Sequence, residues 1–195
     1  MKKGILGFMM LGLLSVVGCG RQAPTPKPVA YVRFDFPKKD YRMMDTASLP
    51  FTFECAREAN VVLKPSHNRS TWVDIEYPQY KGVVFLSYLP LKGRESLKAE
   101  VDTSYRLMSM HFSHSSGVSE KGYEDKEKSV YATVYRIDGL KVASTCQFWA
   151  TDSVKHFLRG SLYLNNVPNN DSLAPILTYL QDDLTHLLET LEWRD

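Results

Sequence analysis

The chain has 195 residues, 24 of them Lys or Arg and 22 Asp or Glu, for a net charge of +2. So even a balance gives no large single-sign field and excludes nucleic acid as the expected partner. The length suits one domain with one apolar core, and the 12% of aromatic residues, many in short β-branched runs, argue for a folded, sheet-rich domain.

The N-terminus carries the most specific pattern. Met1, Lys2 and Lys3 supply a positive start, residues 5–17 form an apolar run, and Val16, Val17 and Gly18 lead into Cys19. This is the layout of a lipobox, with residues 1–18 a cleavable export signal and Cys19 the lipid-bearing terminus of the mature chain. A helix that spans a bilayer needs roughly 20 apolar residues, more than the run supplies. Anchoring therefore rests on acyl chains such as palmitate, at about 0.8 kcal/mol per buried CH₂. Pro24, Pro26 and Pro28 make residues 19–28 an extended stalk, and a single domain is expected over 29–195. No acidic run follows Cys19 and Gly20 is not an aspartate, so the expected position faces the periplasm, on the inner leaflet of the outer membrane rather than on the inner membrane. Cys55 and Cys146 remain in an oxidising compartment, where a disulfide between them and two buried free thiols are both open.

In chain order, residues 29–36 alternate apolar with polar up to Pro37 and predict a strand, residues 38–49 a surface loop, and 50–54 and 60–63 two short strands. Within 71–77, Val73, Ile75 and Tyr77 share one face and Trp72, Asp74 and Glu76 the other, as in a half-buried antiparallel strand. A more continuously apolar strand follows over 82–88. Leu97, Val101, Ser104, Met108 and Phe112 form a helical stripe. Strands are predicted over 129–137, 142–150 and 155–164, with Asp138-Gly139 as a hairpin turn between the first two. A final helix opens at Asp171 or Ser172, tolerates Pro175 in its first turn, and carries Leu173, Ile176, Leu177, Leu180, Leu184, Leu187, Leu188 and Leu191 on one face. Strands, helix, strands, helix predicts an α+β fold, a predominantly antiparallel sheet with two amphipathic helices packed on it.

Few constellations carry chemistry. Asp152, Ser153 and His156 have the residue types of a hydrolytic relay, but there is no G-x-S-x-G elbow and adjacent side chains diverge in extended backbone. A polar turn is the plainer reading. His111 and His114 could share a metal but lack a third ligand at recognisable spacing, and His67 and His186 stand alone. With no glycine-rich phosphate loop either, no metal and no cofactor is expected. Trp72 shares its strand face with Asp74 and Glu76, so it is a candidate contact residue on a wetted surface.

The segment from Gln147 to Tyr163, with its core Thr151-Asp152-Ser153-Val154-Lys155-His156-Phe157-Leu158-Arg159-Gly160, followed by Pro168-Asn169-Asn170-Asp171-Ser172-Leu173-Ala174-Pro175, resembles the gliding motility lipoprotein GldD family of Bacteroidetes. Phe51-Thr52-Phe53-Glu54, Phe85-Leu86-Ser87-Tyr88 and the closing Leu187-Leu188-Glu189-Thr190-Leu191-Glu192-Trp193 extend the likeness over nearly the whole mature chain; Cys55-Ala56 stand where the family pattern has an aromatic and a proline. The resemblance implies a non-enzymatic component needed for gliding motility and the associated type IX secretion machinery, with other envelope proteins of that machinery as partners. Asp152, Lys155, His156, Arg159 and Trp72 are the candidate contact residues. Strand alternation turns Lys155 and Arg159 to one face and His156 inward. An internal pair of Asp152 with Arg159 or Lys155 is the competing expectation, as is an envelope lipoprotein that binds or hydrolyses a small ligand.

Overall fold

The computed structural model describes residues 34–67, 70–166 and 169–194, so the signal, Cys19, the stalk and positions 29–33 lie outside the described residues. In chain order the elements are β1 Tyr41–Met44, β2 Phe51–Ala56, β3 Asn60–His67, β4 Ser70–Tyr77, β5 Gly82–Pro90, α1 Arg94–Ser109, β6 Gly117–Asp125, β7 Val130–Asp138, β8 Cys146–Thr151, β9 His156–Leu164, α2 Asn170–Thr190 and β10 Glu192–Trp193. The fold is α+β. Seven strands form one antiparallel sheet in the order β3-β4-β5-β9-β8-β7-β6, and β1-β2-β10 form a second, smaller one.

The large sheet is two meanders, β3 to β5 and β6 to β9, joined where β5 meets β9 along nine residue pairs from Gly82↔Leu164 to Pro90↔His156. Its inner face carries Val73, Ile75, Tyr77, Val84, Leu86, Phe148, Leu158 and Leu162, all buried against the leucine face of α2. That face is wide because Ile176, Leu177, Leu180, Leu184, Leu187 and Leu188 recur at helical spacing. Phe51 and Phe53 of β2 close the core from the small sheet. The outer face is covered over half its width: α1 seats Met108 against Tyr135, Ile137 and Val142, with Phe112 and Trp149 alongside.

Several sequence expectations are corrected. Residues 34–40 form no strand; β1 lies instead in the segment expected to be a loop, because its backbone completes a ladder with β2 from Tyr41↔Ala56 to Met44↔Phe53. Asp138-Gly139 is not a two-residue hairpin turn. The chain leaves β7 for a loop over 139–145, and the peptide of Ile137 reaches across it to the Thr145 carbonyl at 2.9 Å. Gly139 is required there: its φ is +147°, and a Cβ would collide with the His114 carbonyl oxygen. α2 begins at Asn170, earlier than expected, with Asn169 as its N-cap and Pro175 in the second turn. The Asn170 amide ties that start to the loop, donating to the carbonyls of Gly139 at 2.6 Å and Val142 at 3.1 Å. Cys55 and Cys146 are both buried free thiols and not a disulfide; they sit on β2 and β8, strands of different sheets.

Candidate binding face

Sheet order decides which polar residues meet. On the outer face, Trp72 of β4 stands opposite Ser87 of β5, which stands opposite Arg159 of β9. In the next row Asp74, Phe85 and Ser161 follow one another in the same way. α1 does not cover these rows, so Trp72 is 38% and Phe85 43% exposed. With Lys64 of β3 they line a depression of about 360 Å³.

Each polar group in the depression has a definite environment. Lys64 Nζ lies 3.1 Å from Asp74 Oδ2, which neutralises one cation. Arg159 donates to Gln147 Oε1 at 3.1 Å, and burial pushes its guanidinium below the ordinary value, although a nearby Tyr163 opposes this. No carboxylate forms an ion pair with Arg159 among the described residues. Phe85 packs on Tyr163 with ring centroids 5.7 Å apart. Tyr163 in turn has its hydroxyl 3.5 Å from His111 Nε2. His111 is half-buried, and burial, then the charge of Arg159, lowers its pKa. His114, on the 3₁₀ turn Phe112–His114, is exposed.

The other candidates separate from this face. Asp152 caps the β8–β9 turn: its Oδ1 accepts from the backbone N–H groups of Val154 at 2.9 Å, Lys155 at 2.8 Å and His156 at 2.8 Å. Burial alone would raise its pKa, but the three donors, with the nearby His156, hold the carboxyl below its ordinary value. Ser153 takes a left-handed backbone with φ +68° and donates its N–H to Thr151 Oγ1. His156 is 6% exposed, so its place in the contact set is corrected: β10 covers it, Trp193 stacking at 5.1 Å and 9°, and its Nδ1 lies 2.9 Å from the Tyr88 hydroxyl. In a hydrolytic relay that nitrogen would face the carboxylate. Arg159 pairs with Gln147 rather than Asp152, and Lys155 is exposed at the turn.

The sequence reading missed a buried charge on the opposite side of the molecule. Asp183 of α2 is 4% exposed and forms an ion pair with Lys39, which also donates to the Tyr179 carbonyl and lies 3.3 Å from the Tyr179 ring centroid. Tyr41 donates to Asp183 at 3.1 Å, and burial, then that negative charge, drives its pKa upward. A carboxylate inside a leucine stripe is the signal that could have found it. No group of three or more His, Cys, Asp or Glu placed to hold a metal ion occurs among the described residues.

These features define an α+β domain built on an antiparallel sheet, with one sheet face half open. No helix among the described residues is long and apolar enough to cross a membrane. The chain belongs to the gliding motility lipoprotein GldD family, whose model matches residues 21–193. Among solved structures, the solution structure of cyanobacterial PsbP (CyanoP) from Synechocystis sp. PCC 6803 is similar at a TM-score of 0.48 and 10% identity, over 85% of this chain and 99% of that one. No curated protein matches the chain.

Proposed function

We propose that this gliding motility lipoprotein is a non-enzymatic binding component of the gliding and type IX secretion machinery, tethered through a lipid on Cys19 with its domain in the periplasm, most simply on the inner leaflet of the outer membrane. The observation that carries the reading is the open outer face, where Trp72, Phe85 and the half-buried Arg159 share one depression. Aromatic residues and arginine are the side chains that most often dominate protein contacts, since each combines a large apolar area with a directed donor. Asp152 and His156 serve the fold, so within the turn only Lys155 is left as a candidate for the contact.

Affinity purification of the lipidated protein from crosslinked envelopes tests this, with Trp72→Ala and Arg159→Ala variants in parallel. Recovery of motility or secretion proteins, depleted in both variants, supports the contact. A protein that comes down alone, or partners retained in full by both variants, removes it. Deletion of the gene in a gliding host should abolish gliding and reduce secretion of type IX cargo.

A further inference from the structure

The two edges of the large sheet are built differently. β3 carries Pro65, and its register with β4 slips between Lys64 and His67; both features blunt an edge against further pairing. β6 has neither. Its nine residues pair with β7 without interruption, from Gly117↔Asp138 to Asp125↔Val130, and they include no proline. Among the described residues no strand lies on its other side, so alternate backbone N–H and C=O groups point outward without a sheet partner.

Beside this edge runs a groove of about 250 Å³ between β6, β7 and α2. Tyr123, Val134 and Leu188 form its apolar floor and Lys121 and Arg136 its cations; Glu120 lines it too, but it stands opposite Tyr135, where strand alternation turns it to the other sheet face. Lys121 stands opposite Val134 and Ser119 opposite Arg136, so the two cations occupy successive positions on the groove side. Neither forms an ion pair among the described residues. Glu189 marks the opposite end, close enough to contribute to the raised pKa of Tyr123 after burial and Asp125.

We propose that β6 is a docking edge for an extended acidic segment of a partner protein, which joins the sheet as an eighth strand. An acidic side chain of that segment lies over Lys121 and Arg136, and an apolar one two residues away lies over Tyr123, Val134 and Leu188. Main-chain hydrogen bonds to a free edge supply affinity, and alternate side chains in the flanking groove supply selection. The paired cations set the sign of the partner. A second copy of this chain fits poorly, because fully overlapped antiparallel pairing of two β6 strands places Lys121 opposite Lys121, and like charges directly opposite are destabilising. In sheet order this edge is the far end from Trp72, so it is separate from the face proposed above.

The test uses the full-length chain in detergent micelles, with amide hydrogen exchange as the readout. Four capped nine-residue peptides serve as probes: one with threonine at every odd position and glutamate and valine alternating at the even ones, so that glutamate and valine lie two residues apart on one face, the same peptide with lysine for glutamate, and the glutamate peptide N-methylated in each of its two alternate frames. The glutamate peptide should slow exchange within 117–125. One methylation frame should abolish that protection while the other retains it, since only one set of amides faces the edge. Lys121→Glu and Arg136→Glu should each weaken binding about fivefold, with exchange elsewhere in the sheet unchanged. Overturning results are unaltered exchange in β6, equal binding by both methylation frames, equal binding of the lysine peptide, or β6 protection that rises with protein concentration in the absence of peptide.

Discussion

Gly160 of β9 and Phe148 of β8 are ladder partners, and the Phe148 ring fills the space where a Cβ on Gly160 would stand. The glycine is thus a packing requirement of the inner face rather than a turn. Gly160→Ala should destabilise the domain by about 2 kcal/mol through overpacking, and Phe148→Leu in the same chain should recover part of the loss. Urea unfolding of the three proteins measures both, and an unchanged midpoint in the alanine variant would refute the account.

The Asp152 turn sets a pH dependence. Its carboxyl has a lower pKa folded than unfolded, because three backbone donors outweigh the desolvation that opposes them. Such a group contributes stability that is fully present above the unfolded value of about 4 and is lost as pH falls through the lower folded value. Asp152→Asn should therefore be less stable than the parent at pH 7, by about 1 kcal/mol, with the difference closing at acid pH. Thermal melts from pH 7 to pH 2 give the comparison; a gap that widened on acidification would contradict it.

The buried thiols should be inert. Burial pushes Cys146 up to about 12 and raises Cys55 also, against the partial opposing effects of Arg136 and Arg42. Since the thiolate is the reacting form, iodoacetamide at pH 8 should label neither residue in the folded domain and both in urea. Mass spectrometry of the two samples reads this directly, and a bridged Cys55–Cys146 peptide in the untreated protein would show the assignment of free thiols to be wrong.

Lys39 holds a charge that the core could not otherwise accept. Lys39→Ala leaves Asp183 buried beside Tyr41 with its counter-ion gone, and should cost about 3 kcal/mol. Replacing both partners, Lys39→Met with Asp183→Leu, should cost far less. A double-mutant cycle by chemical denaturation separates the two cases; additive losses would exclude the pairing.

Periodicity made β4 and α2 legible, because each shows one apolar face to a single neighbour, and apolar runs marked β5 and β9, which lie inside the sheet. β6 was not, since an edge strand with six of its nine residues exposed, five of them in a row, has no alternation to read. β1 was hidden for a related reason: four residues gain their conformation from pairing with β2, not from their own pattern. The candidate face was half visible. Trp72 reads as exposed from its strand mates, but its neighbour Arg159 lies in a distant segment, and only the adjacency of β5 to β9 places them together. His156 shows inward alternation in the sequence, yet its burial depends on Tyr88 and Trp193, which no local signal links to it.

β10 pairs with β2 through Glu192↔Thr52 and Trp193↔Phe51, and the Arg194 N–H reaches the Pro50 carbonyl at 2.9 Å. The last residues of the domain thereby close over some of the earliest. A chain that emerges from its N-terminus cannot complete this clasp until residues 192–194 are delivered, and the high sequence separation of these contacts slows that step.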